Sequence, residues 1–216
     1  MNEPGPDRQI VVIGGGGHAR VVIEILLVAG WQVVGFTDAR QHSENWCSVP
    51  CLGGDFELPR VRAAGVSQAI VAVGENALRG RLAGEAAAAG FALANAVHPG
   101  AWLSPTVSLG RGIAIMAGAV LNAGVVVGDN VIVNTGATVD HDCRLGAQVH
   151  VAPGCHLAGS VVVEEGALIG VGAVVGRGRP LVIGARAVVG SGSVVIGDVP
   201  AGATVVGNPA RPLGAS

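Results

Sequence analysis

Three stretches of this sequence bring together residue types that can move a proton or steady a developing charge. The first is Val139-Asp140-His141-Asp142-Cys143, a histidine flanked by two carboxylates. A carboxylate bonded to one ring nitrogen favours the charged imidazole and leaves the other nitrogen free to act as a base. The bland alternative is a solvated acidic corner that happens to hold a histidine. The second is Gly159, eighteen residues beyond His141. A glycine there offers a backbone N–H with no side chain in the way, which suits an oxygen that gains negative charge when a thioester is attacked. The third is Gly14-Gly15-Gly16-Gly17-His18-Ala19, which carries the G-x-G-x-x-A spacing, with Asp38 about twenty residues on. Glycines so spaced admit a pyrophosphate to a helix N-terminus, and the acid takes a ribose hydroxyl. Alone, the run suits a nicotinamide enzyme, a site for one nucleotide diphosphate, or a tight turn that binds nothing.

The elements that must position these residues change period near residue 98. Up to there, apolar strands alternate with helices. Gln9–Ile13 reads as a strand, His18 to about Ala29 as a helix, and Trp31–Thr37 as a second strand ending at Asp38. A loop through Pro50 and Gly53-Gly54 leads to a short helix around Leu58–Ala64, then a strand at Ala69–Val73, a helix at Leu78–Ala89 and a fourth strand at Phe91–Val97. Such alternation makes a small Rossmann-like parallel α/β sheet. About four strands are too few for a full two-halved dinucleotide fold, which favours a site for one nucleotide diphosphate. His98-Pro99-Gly100 ends the pattern, setting an α/β domain over 1–98 and a second domain over 99–216.

Beyond that boundary an aliphatic residue recurs at every sixth position, from Leu103, Leu109, Ile115 and Leu121 through to Val175, without drift. The position four further on is small or apolar, as at Ala137, Cys143 and Cys155. A two-residue insertion at Gly178–Leu181 shifts the phase, which resumes at Ile183, Val189 and Val195. Six residues make one side of a triangular coil and eighteen make a turn, so this is an all-β parallel β-helix of hexapeptide repeats. Its coils stack about 4.8 Å apart. Counting in eighteens sets Gly159 directly above His141. His150, nine residues from His141, falls across the prism, so both line one site only where two subunits meet.

Composition agrees. Half of the chain is apolar, yet 3% is aromatic and 36 residues are glycine, a recipe for a narrow solenoid filled by single aliphatic side chains. All 13 cations are arginine and the formal charge is −2, so no basic footprint for nucleic acid or a membrane surface is present. No signal peptide or membrane span is read at the N-terminus and no C-x-x-C pair occurs. The expected setting is cytoplasmic, with each cysteine a small buried apolar residue. His150 and His156, six apart on neighbouring sides of a coil, point in different directions and make a poor zinc pair, so no metal is expected. His42 and His98 read as loop and boundary residues.

Several segments together resemble one family: VVIGGGGHARVVIEIL (Val11–Leu26), FTD (Phe36–Asp38), AVGEN (Ala72–Asn76), NAVHP (Asn95–Pro99), NTGATVDHDC (Asn134–Cys143), HVAPGCHLAG (His150–Gly159) and GNPAR (Gly207–Arg211). They are similar to the bacterial nucleotide-amino-sugar N-acetyltransferases, which acetylate UDP-4-amino sugars for bacillosamine or act on GDP-perosamine, and to the related sialic acid O-acetyltransferases. The resemblance implies a left-handed β-helix, an exception to the right-handed crossover rule. It also implies a homotrimer with acetyl-CoA in grooves between neighbouring β-helices, and an N-terminal domain that binds a nucleotide-linked amino sugar of the 4-amino-deoxyhexose type. It makes His141 the general base and Asp142 its acidic partner, and places His150 and Gly159 near the acetyl thioester and Asn134 near the sugar. Gly14, Gly15, Gly16, Gly17, His18, Asp38 and Asn76 fall in the nucleotide-sugar pocket. Val171, Gly190 and Gly192 fall along the pantetheine arm, and Asn208 and Arg211 at the far end of CoA. Two departures stand out: Asp38 is followed by Ala39 where the family often has a second acid, and the Gly178–Leu181 insertion falls on the CoA-side coils. The readings left beside this one are sugar O-acetylation, an NAD-dependent oxidoreductase built on the glycine loop, and a non-catalytic sugar-nucleotide-binding protein.

Overall fold

A computed structural model describes residues 8–40, 46–176 and 178–213; the first seven residues and His42 lie outside them. Residue contacts divide the chain into two units. One runs to Pro99 and includes Arg111–Ile113, and the other comprises Gly100–Gly110 and the chain from Ala114.

The first unit contains β1 (Gln9–Ile13), α1 (Gly17–Val28), β2 (Gln32–Thr37), β3 (Cys51–Gly53), α2 (Leu58–Ala63), β4 (Gln68–Val71), α3 (Asn76–Ala88), β5 (Ala92–Leu93) and β6 (Ala96–Val97). Five of the strands form one parallel sheet in the order β3-β2-β1-β4-β5. β1 is central, and Ile10 to Ile13 are fully buried. A strand covered on both faces has no polar side, hence the unbroken apolar run in the sequence. Helix α1 buries Ala19, Val22, Ile23, Ile25 and Leu26, one stripe of a helical period. α3 starts at Asn76 rather than Leu78, because the Glu75 carboxylate caps it, accepting from the amides of Ala77 (2.9 Å) and Leu78 (2.6 Å).

Two expectations are corrected here. The segment through Pro50 and Gly53 is not all loop: Cys51–Gly53 is an edge strand, paired with β2. Leu52 sits where a side chain on Gly35 of β2 would stand. Three residues are too few to show a period. The stretch Phe91–Val97 is two strands, not one. The Ala94 amide still donates to Ala69 of β4, but the Ala96 amide donates to Ile113 O, and Asn95 Oδ1 accepts from the Ile113 amide at 3.0 Å.

The second unit is a parallel β-helix. Sixteen two-residue strands run from Trp102–Leu103 to Val194–Val195 and fall on three faces. The first face stacks Val120–Leu121, Thr138–Val139, His156–Leu157 and Val174–Val175. The second stacks Val126–Val127, Arg144–Leu145 and Val162–Val163, and the third Ile132–Val133, His150–Val151 and Leu168–Ile169. Stacked partners lie eighteen residues apart, as in Val120↔Thr138, and twenty apart across the insertion, as in Val174↔Val194. The insertion is therefore absorbed at one corner and the inward positions keep their phase. In each pair the second residue points inward; Leu121, Val139 and Val175 are fully buried. Cys143 and Cys155 fill the small inward positions, whereas Cys47 is exposed and Cys51 half-buried, against the expectation for all four. Among the described residues, no helix is long and apolar enough to cross a membrane.

Candidate active site

His141 stands at the corner between the first and second faces, after Thr138–Val139 and before Arg144–Leu145. Both flanking acids are fixed. Asp140 Oδ1 accepts from the His141 amide (2.8 Å) and from Asn122 Nδ2 one coil below (2.9 Å). These bonds hold the Asp140 carboxyl below its ordinary range, Asn122 contributing most. Asp142 adopts the left-handed backbone region at φ 60°, and its amide donates to Ala123 O at 2.9 Å. Its Oδ2 lies 2.9 Å from His141 Nδ1. A carboxylate at Nδ1 selects the tautomer whose proton is on that nitrogen, so Nε2 carries the lone pair. The imidazole pKa is raised, first by the hydrogen bond to Asp142 and then by the charge of Asp140.

Gly159 lies where the eighteen-residue count puts it. A Cβ on Gly159 would stand 2.5 Å from His141 Nε2 and 2.6 Å from Cε1. The Nε2 edge of the ring therefore lies against glycine backbone. His150 is on the third face, away from the His141 corner, and its Nε2 lies 3.2 Å from Asn134 Nδ2. Two expected site residues thus meet each other and not His141. His156 is on the first face, with Nδ1 2.9 Å from Thr138 Oγ1. Among the described residues no group of His, Cys, Asp and Glu could hold a metal ion.

The expected CoA-side residues behave differently from one another. Val171 is an exposed corner side chain, and its carbonyl accepts from the Gly192 amide at 2.8 Å. Nothing stands within 4 Å of a Cβ on Gly192. Together they leave an apolar, unobstructed strip at that corner. Gly190 does not share that opening. Its amide donates to Val205 O at 2.8 Å, and a Cβ there would meet Val206 Cγ1 at 2.7 Å. It is a packing glycine beneath the final hairpin, Thr204–Gly207 against Ala210–Pro212. Asn208 and Arg211 are exposed on that hairpin.

In the first unit, Gly14, Gly15, Gly16, Gly17, His18 and Asp38 line one cleft together with Arg40, Asp55, Val73, Gly74 and Arg81. Gly14 is required: its φ is +116°, and a Cβ would stand 2.8 Å from Ala72 O. Asp38 does more than wait for a ribose. Oδ2 accepts from the Gly15 amide at 2.7 Å, and Oδ1 accepts from the Arg40 amide (2.8 Å) and Arg40 Nε (3.3 Å). Burial raises its pKa, but these bonds outweigh burial and leave the carboxyl below its ordinary value. Asp38 therefore holds the glycine loop in shape. Asn76 is not among the residues lining the cleft; its Oδ1 accepts from Arg79 Nη2 at 2.8 Å. Arg40, Arg81 and Asp55 escaped the sequence reading. For Arg81 the signal available was an arginine on the first turns of the helix that follows β4, at the same carboxyl end of the sheet as the glycine loop.

Residues 9–86 match the family model of the PglD N-terminal domain. No curated protein sequence matches the chain. Among solved structures, a perosamine N-acetyltransferase from Caulobacter crescentus, crystallised with CoA and GDP-perosamine, is 47% identical, with a TM-score of 0.92 over 95% of this chain and 97% of that one. The acetyltransferase domain of PglB from Neisseria gonorrhoeae is 41% identical with a TM-score of 0.89, covering 95% and 100% of the two chains, and is also known in complex with acetyl coenzyme A. WeeI from Acinetobacter baumannii is 28% identical with a TM-score of 0.82, over 94% and 99%. The acyltransferase likeness spans both units and displaces the nicotinamide and non-catalytic readings. The chain belongs to this family of bacterial sugar N-acetyltransferases, an α/β domain followed by a left-handed β-helix of hexapeptide repeats, and is an acyltransferase.

Proposed function

We propose that the protein transfers the acetyl group of acetyl-CoA to the amine of a nucleotide-linked amino sugar of the 4-amino-deoxyhexose type. The observation that carries this is the His141–Asp142 pair set against Gly159, in a chain 47% identical to an enzyme crystallised with CoA and GDP-perosamine. Two structures of that relative have a histidine replaced, by asparagine in one and alanine in the other, and still hold both molecules.

His141 Nε2 takes the proton of the sugar amine as the new N–C bond forms at the thioester carbonyl carbon. Asp142 steadies the imidazolium. The Gly159 amide, with His150 from a second copy of the chain, offsets charge on the carbonyl oxygen. His141 returns its proton to the departing sulfur as the C–S bond breaks, leaving free thiol and amide. The cleft of the first unit takes the nucleotide. The strip of Val171 and Gly192, with Asn208 and Arg211 beyond it, takes the pantetheine arm and the far end of CoA. The enzyme works as a homotrimer with active sites between subunits, which supplies His150 to a corner it does not share within one chain. No acyl-enzyme forms on the β-helix: Cys143 and Cys155 are sealed inside it, and burial pushes the Cys143 thiol up to about 11.

The test is a panel of UDP-, GDP- and dTDP-linked amino sugars with acetyl-CoA, read as free thiol and as N-acetylated product. Thiol release matched by amide formation with one of them is expected. His141→Ala should lower kcat by at least about 100-fold with folding intact. Thiol release with no amino sugar, or wild-type turnover of His141→Ala, overturns the reading.

A further inference from the structure

The coil beneath His141 and Asp142 has a vacancy shaped to their carboxylate. Gly124 stands eighteen residues before Asp142 at the same corner. A Cβ built on it would lie 2.7 Å from Asp142 Oδ1 and 3.7 Å from its Cγ. A carbon and an oxygen do not approach so closely without bonding, so the smallest side chain at 124 would push the carboxylate aside. The two carboxylate oxygens are one rigid plane. A displaced Oδ1 carries Oδ2 with it, and Oδ2 is the atom 2.9 Å from His141 Nδ1.

The backbone cannot move to compensate. The Asp142 amide is tied to Ala123 O at 2.9 Å, and the next corner up is tied the same way, Ser160 N to His141 O at 2.8 Å. Gly124 is itself anchored, its amide donating to Thr106 Oγ1 at 2.9 Å. The Asp142 side chain is largely open to solvent, so its way of escape is to swing outward and release the imidazole. The same lower coil grips the other acid facing the ring, since Asn122, two residues before Gly124, donates to Asp140 Oδ1.

We propose that Gly124 is a positioning residue for the reaction: its missing side chain seats the Asp142 carboxylate against His141, and the pair works as one layer clamped between two glycines, Gly124 below and Gly159 above. This rests on the reading of His141 as the base. Gly124 touches no reacting atom; it acts through Asp142.

The experiment compares Gly124→Ala with Gly202→Ala in the full chain. Both glycines are in the left-handed region, at φ +74° and +70°, so alanine meets the same backbone strain at either. Nothing lies within 4 Å of a Cβ at 202, so only the first variant meets a carboxylate. The readouts are the NMR titration of the His141 ring, the pH profile of kcat and the KM for acetyl-CoA. In Gly124→Ala the His141 midpoint should fall, the acid limb of kcat should move to lower pH, and kcat should drop about tenfold or more, with acetyl-CoA KM unchanged. Gly202→Ala should match the parent in all three. A folded Gly124→Ala with an unmoved His141 midpoint overturns the proposal. If Gly124→Ala does not fold, the double variant Gly124→Ala/Asp142→Ala decides, because removing the carboxylate relieves the collision. Recovery of folding and equality with Asp142→Ala alone support the proposal; failure of the double variant to fold, or activity below that of Asp142→Ala, overturns it. The His141 titration is read without turnover, so loss of the base reading would not hide the result at Gly124.

Discussion

The imidazole of His141 rests against the backbone of Gly159 so closely that a methyl group on Gly159 would stand 2.5 Å from Nε2. Stacking arithmetic alone gives Gly159 one purpose, an uncovered N–H facing a thioester oxygen. The geometry gives it a second. With Nδ1 held by Asp142, the orientation of Nε2 is set by what the far side of the ring can lie on, and only glycine leaves that space.

Gly159→Ala should therefore cost activity without costing the fold. Gly159 is outside the left-handed region, so alanine meets no backbone strain there. The added methyl turns the ring out of line. A loss of about 10- to 100-fold in kcat is expected, a large part of what a positioned base supplies. Melting temperature should change little. Parent-like turnover of the variant would show that the ring has room to spare.

The acids beside His141 set the pH at which it can act. The hydrogen bond that Nδ1 donates to Asp142 and then the charge of Asp140 raise its pKa above the ordinary histidine value. A general base works in its neutral form, so a raised pKa moves the acid limb of kcat/KM to higher pH. Asp142→Ala removes the larger cause and leaves Asp140 in place. The acid limb should move to lower pH while the maximum falls. A limb that stays still or moves upward would mean that another group controls it.

The β-helix was legible because every coil repeats one physical demand, an inward aliphatic residue each sixth position, and an inserted pair is absorbed at a single corner. The relation of Gly159 to His141 followed from the same count. What the sequence hid depends on contacts between distant segments. β3 is only Cys51–Gly53, and it forms where Gly35 leaves space for Leu52. Asp38 was visible as an acid after a strand, but its grip on the Gly15 amide needs the register of β1 against β2. Gly190 looked like its neighbour Gly192, and only the final hairpin, with Val206 over it, separates their roles. Gly124 was one corner glycine among many until Asp142 was seen above it.

Arg79 was invisible for the same reason, and it carries a further prediction. The residue is 1% exposed, and its guanidinium donates to Val73 O (3.2 Å), Gly74 O (3.1 Å) and Asn76 Oδ1 (2.8 Å). Burial lowers its pKa to about 10, opposed by the charge of Glu75, so it stays charged near neutral pH. Val73 and Gly74 line the cleft of the first unit, proposed to take the nucleotide. Arg79 thus fixes the wall of that cleft from behind, and Asn76 contributes by holding Arg79. Replacing it by methionine removes three hydrogen bonds from a charged donor, each worth about 1.5–3 kcal/mol. Melting temperature should fall. KM for the sugar nucleotide should rise about tenfold or more while KM for acetyl-CoA and kcat stay near the parent values, a split that general destabilisation does not produce. Arg79→Lys should recover little, because one ammonium cannot span three acceptors held by a planar fork. A lower melting temperature with an unchanged sugar-nucleotide KM would assign Arg79 to stability alone.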